Sequence, residues 1–256
     1  MKLELIKQTF KLGNSAGVLL PIEWKDKKVK VQLIDKSINQ DILDILGERD
    51  LLKNAIGIFL VGSYARGEAT PSSDVDVLVI TEGIDKQLKV REYEILLISQ
   101  DRLIREIKNS LYLVSMLNEA KAIINRPLIE MYKTYSLDFK IEKHLKSIKS
   151  MIKINETSVD ISTQNKEDVS DETMYSIILR LRETYLIDCL KSKKMPSNKE
   201  FLGIIRKISG SYESYEAYLR IKNDKPSKKV IKISDATMLI NYTKSKVNSL
   251  EHGKKK

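Results

Sequence analysis

Cys189, His144 and His252 are the only cysteine and histidines in this 256-residue chain, and that scarcity already excludes several functions. A lone cysteine forms no internal disulfide, which fits a reducing compartment. One cysteine and two histidines leave no set of ligands for a structural zinc site. No apolar run approaches the ~18 residues that cross a bilayer. The N-terminal stretch MKLELIKQTFKLG lacks the continuous apolar core of a signal peptide, so the cytoplasm is the expected location and no membrane contact is expected. The Walker pattern G-x-x-x-x-G-K-[ST] is absent, as are internal repeats and long low-complexity tracts.

What remains is the composition of a globular protein, 42% hydrophobic and 31% charged, long enough for two or three small domains. The net charge of +10 is unevenly spread, because residues 133–256 carry 26 basic and 16 acidic side chains while the rest nearly balances. A basic C-terminal half favours an anionic partner such as RNA, DNA or a nucleotide, although solvated lysine-rich helix faces give the same count. Its lysine clusters, Lys191, Lys193 and Lys194 and then Lys225, Lys228 and Lys229, fall where loops between helices are expected.

Chemistry concentrates in GSYARGEATPSSDVDVLV, residues 62–79. Strand side chains alternate, so Asp74 and Asp76 share one face while Val75, Val77 and Val79 take the other. Two carboxylates so close repel unless a cation lies between them. The preceding apolar run AIGIFLVGS reads as a buried strand ending on Gly62 and Ser63, where a glycine admits a ligand to the backbone and a hydroxyl stands beside the next helical turn, a seat for phosphate. VREYEILLIS, Val90–Ser99, reads as a further strand with Glu92 and Glu94 on one face. Two aspartates holding two Mg²⁺ ions with a third carboxylate nearby suit in-line displacement at a nucleoside triphosphate.

Elsewhere, SINQDILDILGERDLLKN (37–54) reads as an amphipathic helix with Ile38, Ile42, Ile45, Leu46 and Leu52 inward. AKAIIN before Pro127 has the look of an edge strand. Beyond it the chain reads as helical: KTYSLDFKIEKHLKSIKSMIKI, a helix opened by Ser170, one opened by the Ser197–Glu200 capping box and closed by Gly210, and two more. The polar stretch NETSVDISTQNKEDVSDE (155–172) reads as a flexible loop. Tyr212, Tyr215 and Tyr218 recur every third residue, either as core packing or as a stacking platform for bases. Arg180 and Arg182 with Glu183 either brace the bundle or approach a triphosphate, and His144 reads as a surface residue.

Two resemblances give these features a frame. KLGNSAGVLLPIEWKDKKVKVQL, within residues 5–34, resembles the AbrB-type swapped-hairpin family. That likeness implies a homodimer made by interlaced hairpins and a DNA contact through Lys7, Lys11, Lys25, Lys27, Lys28 and Lys30. Residues 58–80 resemble the minimal nucleotidyltransferases of the DNA polymerase β superfamily at Gly62, Ser63, Ala65, Arg66, Gly67, Glu68, Ser73, Asp74 and Asp76. The likeness implies that Gly62, Ser63, Arg66 and Ser73 bind the nucleotide, with Arg66 supporting the turn or pairing with acidic neighbours. It implies that Asp74 and Asp76 hold Mg²⁺, and that Glu94, with Glu92 as the alternative, completes the metal and base set. The expected substrate is ATP. The helical C-terminal half is similar, in order and helicity, to the substrate-binding half of kanamycin nucleotidyltransferase-like enzymes, while the Arg-to-His ribonuclease motif of HEPN-type partners is missing.

The expected architecture is α+β: a swapped-hairpin segment (1–35), a nucleotidyltransferase core with a mixed sheet and flanking helices (36–132), and a C-terminal α-helical bundle (133–256). The expected activity is Mg²⁺-dependent transfer of a nucleoside monophosphate to a hydroxyl of a protein, an RNA or a small molecule, with release of pyrophosphate. The other reading is a DNA-binding regulator or antitoxin-like module that uses the same fold as an interaction surface.

Overall fold

A computed structural model describes residues 5–7, 9–32, 37–71, 73–135 and 139–252. The chain divides into two compact units, residues 1–38 and 39–256.

In the first unit, β1 (Phe10–Leu12) and β2 (Ser15–Gly17) form a short antiparallel hairpin about Gly13 and Asn14. Gly13 turns the chain with φ +60, a conformation cheap only for glycine and a few polar residues. A 3₁₀ turn follows at Ile22–Trp24. The strand expected from KKVKVQLID is not formed over 27–32, and residues 33–35 of that stretch lie outside the described residues. The unit leaves Leu5, Ile6, Phe10, Leu12, Leu19, Leu20, Ile22, Val29 and Val31 exposed.

The second unit opens with α1 (Ile38–Glu48), whose Ile42, Ile45 and Leu46 are buried at helical spacing. The helix ends sooner than the apolar spacing suggested. Asp50 turns the chain at φ +56, and residues Leu52–Asn54 form a 3₁₀ turn. A five-stranded mixed sheet then assembles from β3 (Ala55–Leu60), β4 (Val75–Thr81), β5 (Lys86–Val90), β6 (Tyr93–Ser99) and β7 (Lys121–Ile124), in the order β5-β6-β4-β3-β7. The β5–β6 hairpin brings β6 back alongside β4 in parallel register. β3 pairs antiparallel with both β4 and the edge strand β7.

The single strand expected over Val90–Ser99 is therefore two strands meeting at a hairpin. Arg91, at φ +54, makes the turn, and Glu92 lies in it rather than on a strand face beside Glu94. The Glu92 carbonyl accepts from the Val75 amide at 2.7 Å, so the turn itself starts the pairing of β4.

One sheet face carries Val75, Val77, Val79, Tyr93, Ile95 and Leu97, all buried. The Tyr93 hydroxyl donates to Asp41 of α1 at 2.9 Å, which ties α1 to this face. The other face, through Phe59, Leu78, Ile80 and Ile98, joins one continuous core with the helices that follow. These are α3 (Gln100–Glu106), α4 (Leu111–Glu119), α5 (Arg126–Tyr135), α6 (Ile141–Asn165), α7 (Asp171–Lys191), α8 (Asn198–Ser209), α9 (Glu213–Lys222) and α10 (Ile233–His252).

Local signals set several helix ends. Ser170 and Ser197 accept from the amides of Thr173 and Glu200, capping α7 and α8, and Gly210 ends α8 in the left-handed region. The flexible loop expected at 155–172 is not there. α6 continues through it to Asn165 because Ile148, Ile152, Asn155 and Val159 recur every three or four residues and are buried. The polar residues that suggested a loop turn their hydroxyls back on the helix, Thr157 to the Lys153 carbonyl, Ser158 to that of Ile154 and Thr163 to that of Val159. A small ladder of β8 (Val169–Ser170) and β9 (Lys229–Ile231) then closes the base of the bundle.

Below that ladder Asp171 is fully buried, and Arg220 grips it through Nε and Nη2 at 2.6 and 2.8 Å. The Lys228 amide adds a third bond at 3.0 Å. Burial pushes the Asp171 carboxyl up, but Arg220 and the Lys228 amide outweigh it and hold the group below its ordinary range.

Of the tyrosine triplet, Tyr215 and Tyr218 pack while Tyr212 stays exposed. Tyr218 stacks on Tyr175 at 5.2 Å and on Tyr215 at 5.6 Å, while Arg206 lies over the Tyr212 ring at 5.5 Å. His144, expected on the surface, is half-buried, with its ring 4.8 Å from that of Phe139 and its Nε2 2.8 Å from the Asn109 carbonyl.

Candidate active site

β3 ends at Leu60 and the chain turns at once into the short helix α2 (Gly62–Arg66), closed by Gly67 in the left-handed region. Gly62 has φ +68, and a Cβ there would fall onto Oδ2 of Asp76, with the Asp76 Cγ also within 2.9 Å. Only glycine gives both the turn and the room for that carboxylate. Its amide does not point to open space, because it donates to Oε1 of Glu119 at 2.9 Å.

Asp76 is half-buried on β4, and Asp74 is exposed just before that strand. Parallel pairing sets Glu94 of β6 directly opposite Asp76, and antiparallel pairing sets Lys89 of β5 opposite Glu94. Lys89, Glu94 and Asp76 thus form one lateral row across three strands. The Lys89 ammonium donates to Glu94 Oε1 at 2.6 Å. Burial, then the Glu94 charge, push the Asp76 carboxyl up to about 6; Lys222, at the end of α9, pulls against them, and Asp74 and Glu119 add to the rise. The site is short of positive charge where Asp76 stands.

Arg66 is almost buried between two carboxylates, Glu119 at 2.5 Å and Glu68 at 3.1 Å. Burial opposes its charge, and the two acids outweigh it. Glu68 in turn accepts from the Ser197 hydroxyl at 2.5 Å and the Asn198 amide at 3.0 Å, at the start of α8. Ser73 stands at the turn before β4, where its hydroxyl accepts from the Thr70 amide at 2.9 Å. Its neighbour Ser72 lies outside the described residues.

A glycine-serine turn is thus packed under one of two neighbouring aspartates with a third carboxylate opposite. The model of the nucleotidyltransferase domain family matches residues 40–180, more than half of the chain. The chain belongs to this family. It is a nucleotidyltransferase, and the matched span takes in the sheet, the glycine-serine turn and the three carboxylates. Eleven solved chains also match. A nucleotidyltransferase-like protein from Exiguobacterium sibiricum 255-15 is 14% identical at TM-score 0.36, covering 83% of this chain and 75% of its own. Spectinomycin adenyltransferase AAD(9) from Enterococcus faecialis, solved with ATP and spectinomycin, is 13% identical at TM-score 0.39, covering 82% of this chain and 98% of its own. No curated protein matches.

Within this nucleotidyltransferase the structure gathers Gly62, Ser63, Arg66, Asp74, Asp76 and Glu94 at the N-terminal ends of the interior strands β4 and β6, where β3 runs out, and leaves Glu92 apart in its hairpin turn. Among the described residues no three His, Cys, Asp or Glu side chains lie close enough to hold a metal together, and Glu94 is turned onto Lys89. Arg182 lies over the Phe201 ring and so ties α7 to α8, while Arg180 pairs with Glu183 at 2.8 Å within α7. Lys191 is no loop residue. It ends α7 and donates to the Leu250 carbonyl of α10 at 2.6 Å.

Sequence reasoning missed Glu119, Lys89 and Lys222, and quoted Glu68 without a role. A lone glutamate at the end of the apolar stretch LYLVSMLNE, like a lysine in an edge strand, carries no local signal of the partner it meets.

Proposed function

We propose that this nucleotidyltransferase moves the nucleoside monophosphate of ATP onto an acceptor hydroxyl with the help of Mg²⁺. The observation that carries the reading is the row of Asp76 and Glu94 in register beside the Gly62–Ser63 turn, with the Asp76 carboxyl raised to about 6. A half-buried carboxylate so reluctant to ionise fits a site completed by a divalent cation. Asp74 and Asp76 would hold Mg²⁺, which supplies charge neutralisation at the triphosphate and lowers the pKa of the acceptor hydroxyl. Ser63 and Ser73 face the triphosphate, Gly62 gives it room at the turn while its own amide stays on Glu119, and Arg66 keeps that turn in shape. Glu94 takes the acceptor's proton as its oxygen bonds to the α-phosphorus, the bond to the β-phosphate bridge breaks, and pyrophosphate leaves.

The acceptor is a protein, an RNA or a small molecule. In the first unit, nine large apolar side chains are exposed over fewer than thirty residues, too many for a segment with so little core of its own. That exposed surface supports a homodimer in which a second copy of the chain covers it, and the lysines of the same segment are the candidate DNA contact.

Incubating the chain with each α-labelled triphosphate, Mg²⁺ and a cell extract tests the reading. Label from ATP should appear in one class of macromolecule or metabolite and disappear with Asp76→Asn. No incorporation from any triphosphate would sink it.

A further inference from the structure

Glu119 ends α4, 57 residues along the chain from Gly62, and only 6% of it is exposed. A buried carboxylate must be paired, and both its oxygens are engaged: Oε1 accepts the Gly62 amide at 2.9 Å and Oε2 accepts Nη1 of Arg66 at 2.5 Å. Stability alone is a poor reason to keep such a pair, since an apolar pair of the same shape serves packing as well or better. An apolar side chain could not accept the Gly62 amide. That amide belongs to a residue at φ +68 on which the Asp76 carboxylate rests, so whatever fixes it fixes how the turn and Asp76 meet.

The contacts continue outward. Arg66 Nε donates to Glu68 at 3.1 Å, and Glu68 accepts from the Ser197 hydroxyl and the Asn198 amide at the start of α8. Hydrogen bonds thus run from the glycine-serine turn through Glu119, Arg66 and Glu68 to the helical half of the unit.

We propose that Glu119 is a positioning residue for the nucleotide turn, holding Gly62 by its amide and Arg66 by its guanidinium, and that Glu68 ties this lock to the N-terminus of α8. The inference rests on the reading of the turn as the triphosphate seat. It makes nucleotide affinity depend on two carboxylates that need touch neither nucleotide nor metal. It also predicts a graded series. Glu119→Gln keeps a carbonyl oxygen for the Gly62 amide but loses the charge beside Arg66, Glu119→Ala loses both, and Glu68→Gln leaves the Gly62 amide held while weakening the tie to α8 and the second pairing of Arg66.

The test measures binding of α,β-methylene ATP with Mg²⁺ to the full chain by titration calorimetry at 15 °C, together with each variant's melting temperature and the exchange rate of the Gly62 amide. Glu119→Ala should bind at least tenfold more weakly and lose protection at Gly62, with Glu119→Gln and Glu68→Gln between it and the wild type. A purely structural role would lower the melting temperature and leave the affinity of the folded molecules unchanged, and that result overturns the proposal. Should Glu119→Ala not fold, Glu119→Gln and Glu68→Gln decide: affinities within twofold of the wild type for both overturn it. If the wild type itself binds no analogue, the reading of the turn fails and this inference fails with it, whereas normal wild-type binding with silent variants defeats this inference alone.

Discussion

Asp76 and Glu94 face each other as register partners on adjacent parallel strands, β4 and β6, and Lys89 of β5 completes the row by pairing with Glu94. Burial first, then the Glu94 charge opposite, makes Asp76 reluctant to ionise, and Lys89 engages Glu94 from the other side. Several measurements follow from this row and from its surroundings.

Asp76→Asn should abolish transfer yet stabilise the metal-free chain above pH 6. The folded chain binds the Asp76 proton more tightly than an unfolded chain does, about 6 against 3.8. Wild-type stability should therefore fall as pH rises from about 4 to about 6 and stay lower above that, by on the order of 2–3 kcal/mol. Denaturant titrations across pH check it; the asparagine variant should lack this slope, and adding Mg²⁺ should oppose it in the wild type.

Gly62→Ala should cost about 1–2 kcal/mol through its left-handed backbone alone and should also displace Asp76, whose carboxylate occupies the space of the new methyl. Transfer should fall by roughly 100-fold or more, as a shift of about 1 Å at a reacting centre suffices for that. Near-wild-type incorporation by a folded Gly62→Ala chain would show that Asp76 is not held there for chemistry.

Arg220→Met should destabilise the helical region by about 3–5 kcal/mol, because it strands the buried Asp171 carboxylate without a charge partner. Adding Asp171→Asn should recover part of the loss. The Asp171 pKa is depressed in the folded chain, so its contribution is present above the ordinary carboxylate pKa and is lost as pH falls through the lower folded value. Urea midpoints of the single and double variants between pH 3 and 7 measure both effects.

Deleting residues 1–35 should convert a dimer into a monomeric core that still binds nucleotide. Light scattering behind size exclusion gives the answer, and an equal number of chains per particle before and after deletion rules out dimerisation through the hairpin.

Binding of a labelled RNA by the full chain should weaken steeply with added salt, in proportion to the phosphates contacted. Replacing Lys193, Lys194, Lys225 and Lys228 by glutamine should reduce both affinity and slope. Lys191 is left out of the set because its ammonium holds the end of α10. Salt-insensitive binding with silent substitutions would leave a protein or small molecule as the acceptor.

The reaction class was legible in residues 62–79 because everything that marks it is local: an apolar strand, a glycine that must turn, and two aspartates one residue apart. The caps at Ser170, Ser197 and Gly210 could be read for the same reason, since a cap is a contract between residues three or four apart. Where local composition misled, at residues 155–165, a buried stripe of Ile152, Asn155 and Val159 overrode the polar residues between them, and only the neighbouring helices show which side is inside.

The sequence by itself therefore determined the turn, the paired aspartates, the strand they open and the helix caps at Ser170, Ser197 and Gly210, all set by φ/ψ preference and side-chain periodicity over a few residues. Tertiary structure alone decided that Glu94 stands opposite Asp76 while Glu92 does not, that Lys89 holds Glu94, and that Glu119 rather than solvent takes the Gly62 amide. It also decided that Glu68 reaches Ser197, 129 residues away. The physical reason is range: propensity and periodicity act along the chain, whereas the pairing of buried charges is fixed by which elements pack together, and no local pattern encodes that.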